Sequence, residues 1–171
     1  MENSLEREFV AFSSTKLREL ASRIDVCLAA LSSEQVWKRG GENENAIGNL
    51  ALHLCGNVRQ WILSGVGGEP DQRQRSGEFA AQGGVSAVKL REKVIETVDR
   101  AAAVIEGVGT AQLMEKRNIQ GYEVSGLEAI YHVVEHFSMH TGQIIFAAKA
   151  VTGADFGFYQ ELSGTGRREK D

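Results

Sequence analysis

The sequence predicts an all-α protein, an up-down four-helix bundle with a long loop between its second and third helices. Three observations predict it. There is one proline in 171 residues, with almost no alternation of β-branched and polar residues. Four long stretches repeat apolar residues at spacings of three and four, the signature of an amphipathic helix. The nineteen glycines gather in the connections and the C-terminal tail instead of breaking those stretches evenly. Long helices joined by mostly modest connections pack as antiparallel neighbours.

The first helix is expected from about Glu2 to Leu31, with Leu5, Phe9, Phe12, Leu17, Leu20, Ile24, Cys27, Leu28 and Leu31 on its apolar face. Acidic residues lead and basic ones follow, which suits the helix dipole. Ser32-Ser33-Glu-Gln-Val-Trp37 reads as a cap opening one short turn, with Trp37 packed inward. Arg39 to Asn45 is a polar connection. The second helix runs from about Ala46 to Ser64 with Asn45 as its N-cap. Ile47, Leu50, Leu54, Val58, Trp61 and Ile62 form its apolar face. Asn49, His53 and Asn57 form a separate polar row at spacing four, which requires hydrogen-bonding partners if buried.

Gly65 to Gly84 shows no periodicity. Loops of this length are uncommon in compact domains and are often functional. Phe79 is expected to pin it to the core, and Arg73 and Arg75 suit an anionic substrate group. The alternative is a solvated surface loop. The third helix spans about Ser86 to Gly107, with Leu90, Val94, Val98, Ala102 and Ile105 inward. Leu113 to Val124 is ambiguous; Asn118 to Val124 alternates enough for an extended segment or hairpin. The fourth helix opens at Ser125-Gly-Leu-Glu128, a capping-box spacing, and ends at Gly153. Its apolar residues run nearly all round, which places it centrally. Phe156, Phe158, Tyr159 and Leu162 are expected to dock the tail, and residues 163–171 to be disordered. Residues 5–160 then make one domain.

Composition narrows the function. Apolar residues make up 42% and charged residues 25%, and the formal charge is −4, so neither nucleic acid nor an anionic membrane surface is indicated. No basic segment leads into an apolar run at the start, and no apolar run is long enough to span a bilayer. Cys27 and Cys55 lie inside helical patterns and do not form a disulfide framework, which points to reduced core residues in a cytoplasmic protein. A metal role for Cys55 is disfavoured, because two residues from His53 it faces the far side of the helix.

The chemistry concentrates in His132-Val-Val-Glu-His136-Phe-Ser-Met-His140-Thr-Gly-Gln143, which holds three of the four histidines; the fourth is His53. At about 100° per residue, His132, His136, His140 and Gln143 share one narrow stripe. Residues four apart rise about 6 Å and residues eight apart about 12 Å. Bonds of about 2.0–2.1 Å cannot join His132 and His140 to one ion. Two pairings remain, His132/His136 and His136/His140. His53, on a facing helix, completes a three-imidazole site with either. The alternative is a set of structural histidines. His132-xx-Glu135-His136 also matches H-x-x-E-H, the inverted zinc-protease signature. That reading leaves His140 and His53 without roles, and Glu135 is then an exposed residue or one supporting a ligand. Asn49, Asn57 and Gln143 are candidates for orienting the imidazoles or holding substrate.

Asn49-Leu-Ala-Leu-His53-Leu-Cys-Gly-Asn57, together with His136-xxx-His140-Thr-Gly-Gln143-Ile144, resembles the DinB-like superfamily of metal-dependent helical proteins, over residues 5 to 160. The likeness rests on the two motifs occurring together at this separation. It implies a divalent metal, zinc or nickel, held by His53, His136 and His140, with His132 as an accessory residue. Relatives include thiol-dependent transferases and isomerases that use low-molecular-weight thiols, and they often form homodimers. The leading expectation is therefore a metal-dependent enzyme acting on a small molecule, a low-molecular-weight-thiol S-transferase or a hydrolase. Two other classes stand beside it. One is a non-catalytic stress-response or binding module, which a closed four-ligand metal site would favour. The other is a metal-free helical dimerisation protein, which a monomer at high concentration would exclude.

Overall fold

The spacing of three and four becomes helix in the computed structural model, which describes residues 4–159. The chain is mostly helical. The elements run α1 (Ser4–Ala29), α2 (Ser33–Val36), α3 (Ile47–Val58, continued by a π-helical turn, Arg59–Ser64), α4 (Arg75–Ala80), α5 (Ala87–Glu106), α6 (Thr110–Met114), β1 (Lys116–Ile119), β2 (Tyr122–Ser125) and α7 (Gly126–Thr152). The four long helices pack in pairs: α1 lies against α5 and α7, and α3 lies against the same two. Leu17, Ile24, Leu28, Leu54, Ile62, Leu90, Ile105, Ile130, Phe137 and Ile144 close the core between them.

Several ends are set by caps. Ser86 accepts from the Lys89 N–H at the start of α5. Ser125 and Glu128 form a reciprocal capping box at the start of α7, and Gly153 ends that helix in the left-handed conformation at φ 68°. The start of α3 corrects the expectation. Asn45 is not its cap; Ala46 holds that position, and the Asn49 side chain three residues on accepts the Ala46 N–H at 3.1 Å. β1 and β2 pair antiparallel, Lys116 opposite Ser125. Their two-residue turn puts both Gln120 and Gly121 at positive φ, as the right-handed strand twist favours.

Three other expectations change. Leu5 and Phe12 are exposed, because the buried stripe of α1 follows Val10, Leu17, Ala21, Ile24 and Leu28 and leaves them on the outer side. α7 is not surrounded: Tyr131, Met139 and Phe146 face outward, Phe146 at 78% exposure. The stretch from Gly65 to Gly84 is not structureless, since it carries α4. A six-residue helix is too short to show periodicity and depends on tertiary contacts. Phe79 does pin this stretch, but onto the His53 ring (centroids 4.7 Å apart) instead of the apolar core. Trp37 is half-buried, and its indole N–H donates to the Val85 carbonyl at 2.8 Å. Phe156 and Phe158 pack on the core and Arg23 reaches Tyr159, while Leu162 and residues 163–171 lie outside the described residues.

Phe137 is 1% exposed and among the largest buried side chains. Phe137→Ala is expected to lower unfolding stability by about 3–5 kcal/mol in urea titrations. A loss below about 1 kcal/mol would mean that the helices close over the gap.

Candidate metal centre

Helical geometry carries His136 and His140 to one side of α7, one turn apart, and α3 brings His53 to meet them. The ring centroids lie 4.5 Å apart for His136 and His140, 5.0 Å for His53 and His136, and 5.1 Å for His53 and His140. One ring nitrogen from each lies within 4.8 Å of the other two. His53 Nε2 and His136 Nε2 are 3.0 Å apart. Such a group could hold a metal ion.

A second layer fixes the rings. His53 Nδ1 donates to Glu78 Oε2 at 3.0 Å, which leaves its Nε2 lone pair facing the other imidazoles. Glu78 is held in turn by Arg73, whose Nε and Nη2 donate to its two oxygens at 2.8 and 2.9 Å. This pair is buried, with side-chain exposures of 4% for Arg73 and 10% for Glu78. Arg73 also donates to Gln60 Oε1 at 2.9 Å, from the π-helical turn. Gly56 makes the fit possible: a Cβ there would come within 1.9 Å of Glu78 Oε1. On the other side, His140 Nδ1 and Gln143 Oε1 are 2.7 Å apart, so that ring also keeps Nε2 free.

Electrostatics favour the neutral form of the three α7 histidines. Burial, and then repulsion from His140, His53, His132 and Arg73, press His136 down to about 3. Burial also lowers His132 and His140 from their ordinary value. Burial alone would raise the Glu78 carboxyl, but hydrogen bonds from Arg73 and His53 outweigh it and hold it below the usual range. Neutral imidazoles beside an ionised carboxylate are the protonation states that metal binding needs.

The sequence-derived residues separate by place. His132 stays out of the cluster and lies against Trp61, ring centroids 4.0 Å apart. Glu135 of the H-x-x-E-H pattern is exposed. Asn49 does not reach the imidazoles. Its amide donates to the carbonyls of Glu78 and Ala81 at 2.9 and 2.7 Å, and so seats the segment that carries Glu78. Asn57, Arg73, Arg75, His53, His132 and His136 line one cavity of about 390 Å³, whose rim is completed by Gln120 and Tyr122 of the hairpin. Cys55 is buried outside the cluster, and burial pushes its thiol up to about 11. Sequence reasoning gives no role to Glu78, Gln60 or Tyr122, and it places Trp61 only on an apolar face. The only trace of Glu78 was an acidic residue beside two arginines in a stretch without periodicity.

A family model described as a protein of unknown function, DUF1572, matches residues 4–163. No curated protein matches the sequence. Among solved structures, a conserved protein from Enterococcus faecalis is similar with a TM-score of 0.69 at 14% identity, over 90% of this chain and 99% of that one. At that identity the likeness concerns the fold alone. Among the described residues, no helix is long and apolar enough to cross a membrane.

The depressed His136 value has a consequence for stability. An unfolded chain takes up a proton at this residue near pH 6.5, whereas the folded one does so only at about 3. The contribution is therefore fully present above about pH 6.5 and is lost as pH falls toward 3. The melting temperature of metal-free protein should fall across that window, and His136→Gln should fall less steeply. Equal slopes in the two proteins would assign the loss to other groups.

Proposed function

The chain belongs to the DUF1572 family of proteins of unknown function, and from that premise we propose that it is a DinB-like metal-dependent protein. Residues 5–160 form one up-down four-helix bundle, and His53, His136 and His140 hold one divalent ion, zinc or nickel. The observation that carries this reading is the convergence of three imidazoles whose nitrogens lie within 4.8 Å of one another, two of them with Nδ1 already engaged. The donor set suits an ion, and one pair already stands near ligand spacing. Two ligands with bonds of about 2.0–2.1 Å in a tetrahedral site lie roughly 3.3 Å apart, and His53 Nε2 and His136 Nε2 stand at 3.0 Å.

Among the described residues no fourth donor joins the cluster, and a cavity opens beside it. Three protein ligands with room for a further one suit a catalytic site better than a closed structural one. When bound, such an ion supplies Lewis acidity that would lower the pKa of a thiol or a water. The chain's own residues do the rest. Glu78, paired with Arg73, orients the His53 ring, and Gln143 orients that of His140. His132 lines the cavity and is backed by Trp61. This supports transfer to or from a low-molecular-weight thiol, or hydrolysis, in a cytoplasmic enzyme that works as a homodimer. The outward-facing Met139 and Phe146 of α7 suit a homodimer contact.

Metal content by mass spectrometry tests the ligand set. Wild type and His132→Ala should carry near-stoichiometric metal, while His53→Ala, His136→Ala and His140→Ala should lose it with their helical circular dichroism retained. Metal kept by His140→Ala and lost by His132→Ala would replace this site with the H-x-x-E-H pair. Glu78→Gln keeps the shape of its side chain but removes the charge at His53. It should weaken metal affinity roughly ten- to a hundredfold in competition with a chelating dye.

A further inference from the structure

The cavity beside the imidazoles has two features that metal binding does not use. Arg75 lines it, and its guanidinium lies 5.1 Å above the Phe79 ring. Phe79 in turn lies against His53, so the cation stands one aromatic layer from the cluster. Arg73, the other cation in the lining, is engaged by Glu78. Arg75 pairs with no carboxylate among the described residues, and no Asp or Glu among them lines the cavity. The second feature is Asn57, one turn beyond His53 on α3. It is 4% exposed, lines the same cavity, and its Oδ1 is buried without a hydrogen-bond partner. A buried acceptor without a donor is costly, and native structures rarely keep one without a reason.

We propose that this cavity is a subsite for a small organic anion that also carries a hydrogen-bond donor. Arg75 takes the anionic group in a forked contact, and Asn57 Oδ1 accepts from a hydroxyl or N–H on the same molecule. The cavity of about 390 Å³ suits a small-molecule ligand and is too small for a macromolecular segment. The inference deepens the metal reading and rests on it for a third anchor, because two of the three imidazoles, His53 and His136, line the same space. The first two anchors need no ion.

Titration calorimetry on the full chain, metal-free and zinc-loaded, separates the two readings, with zinc measured in the same samples. The probes are L-malate, succinate, which lacks the hydroxyl donor, and the neutral diamide of malate. Metal-free wild type should bind malate at one site, more tightly than succinate, and should not bind the diamide; zinc should tighten malate further. Arg75→Gln, a surface change, should weaken malate roughly ten- to a hundredfold with zinc content unchanged. Asn57→Ala should abolish the preference for malate over succinate, with circular dichroism to verify folding. If Asn57→Ala does not fold, the Arg75→Gln result and the wild-type comparison of malate with its diamide still decide the matter. Zinc absent from loaded samples but Arg75-dependent malate binding present would sink the metal reading and support the subsite. Zinc present with no saturable malate binding, with malate and diamide bound alike, or with Arg75→Gln indistinguishable from wild type would overturn the subsite.

Discussion

The buried pair of Arg73 and Glu78 organises everything around it. A carboxylate at 10% exposure cannot stay ionised without a cation, and a guanidinium at 4% exposure cannot stay buried without an anion. Each supplies the other's need through two parallel hydrogen bonds. Both residues belong to the segment between α3 and α5, and Glu78 on His53 and Arg73 on Gln60 tie the pair to α3 and its π-helical turn. Two more contacts hold it there: Asn49 grips the carbonyls of Glu78 and Ala81, and Arg39 grips that of Phe79. The outcome is a His53 ring fixed on one face by Phe79 and at one nitrogen by Glu78. Removing one member of a buried pair is far more disruptive than removing both, so these two positions act as a unit.

The long helices were legible in the sequence because each buries a continuous stripe, and the stripe is written in residues three and four apart. The hairpin was half legible, since Asn118 to Val124 alternates but contains only a few residues of each strand. The short helices α4 and α6 were not. At six and five residues they have no periodicity of their own and exist through contacts made elsewhere. Pattern alone also overcounted the core. Leu5 and Phe12 fit an apolar spacing and yet face outward, because spacing identifies a side of a helix and not whether a neighbour covers it.

The site divides in the same way. His132, His136 and His140 share one stripe of one helix, so spacing offers neighbouring pairs, and Gln143 follows from the same stripe. The choice between His132 and His140 could not come from spacing, which allows both. It is a matter of which neighbour lies across from each ring, and His132 meets Trp61. Glu78 stood even further from reach. Its partner is 25 residues earlier, in a different element, and only the folded chain puts a carboxylate beside that nitrogen. Arg73 and Arg75, two residues apart, looked equivalent as sequence; one is spent on Glu78 and the other stands over Phe79.

Gly56 has a consequence for how this family can vary. A side chain there would occupy the space now filled by the Glu78 carboxylate and the Arg73 guanidinium, the nearest atoms to the missing Cβ. A larger residue at this position would displace the Glu78 carboxylate from where it lies against His53 and Arg73. Positions 56, 73 and 78 are therefore expected to vary as a group. A related chain that keeps the three histidines but changes this trio holds its His53 by some other means, and its imidazoles, though identical in sequence, are tuned by a different environment.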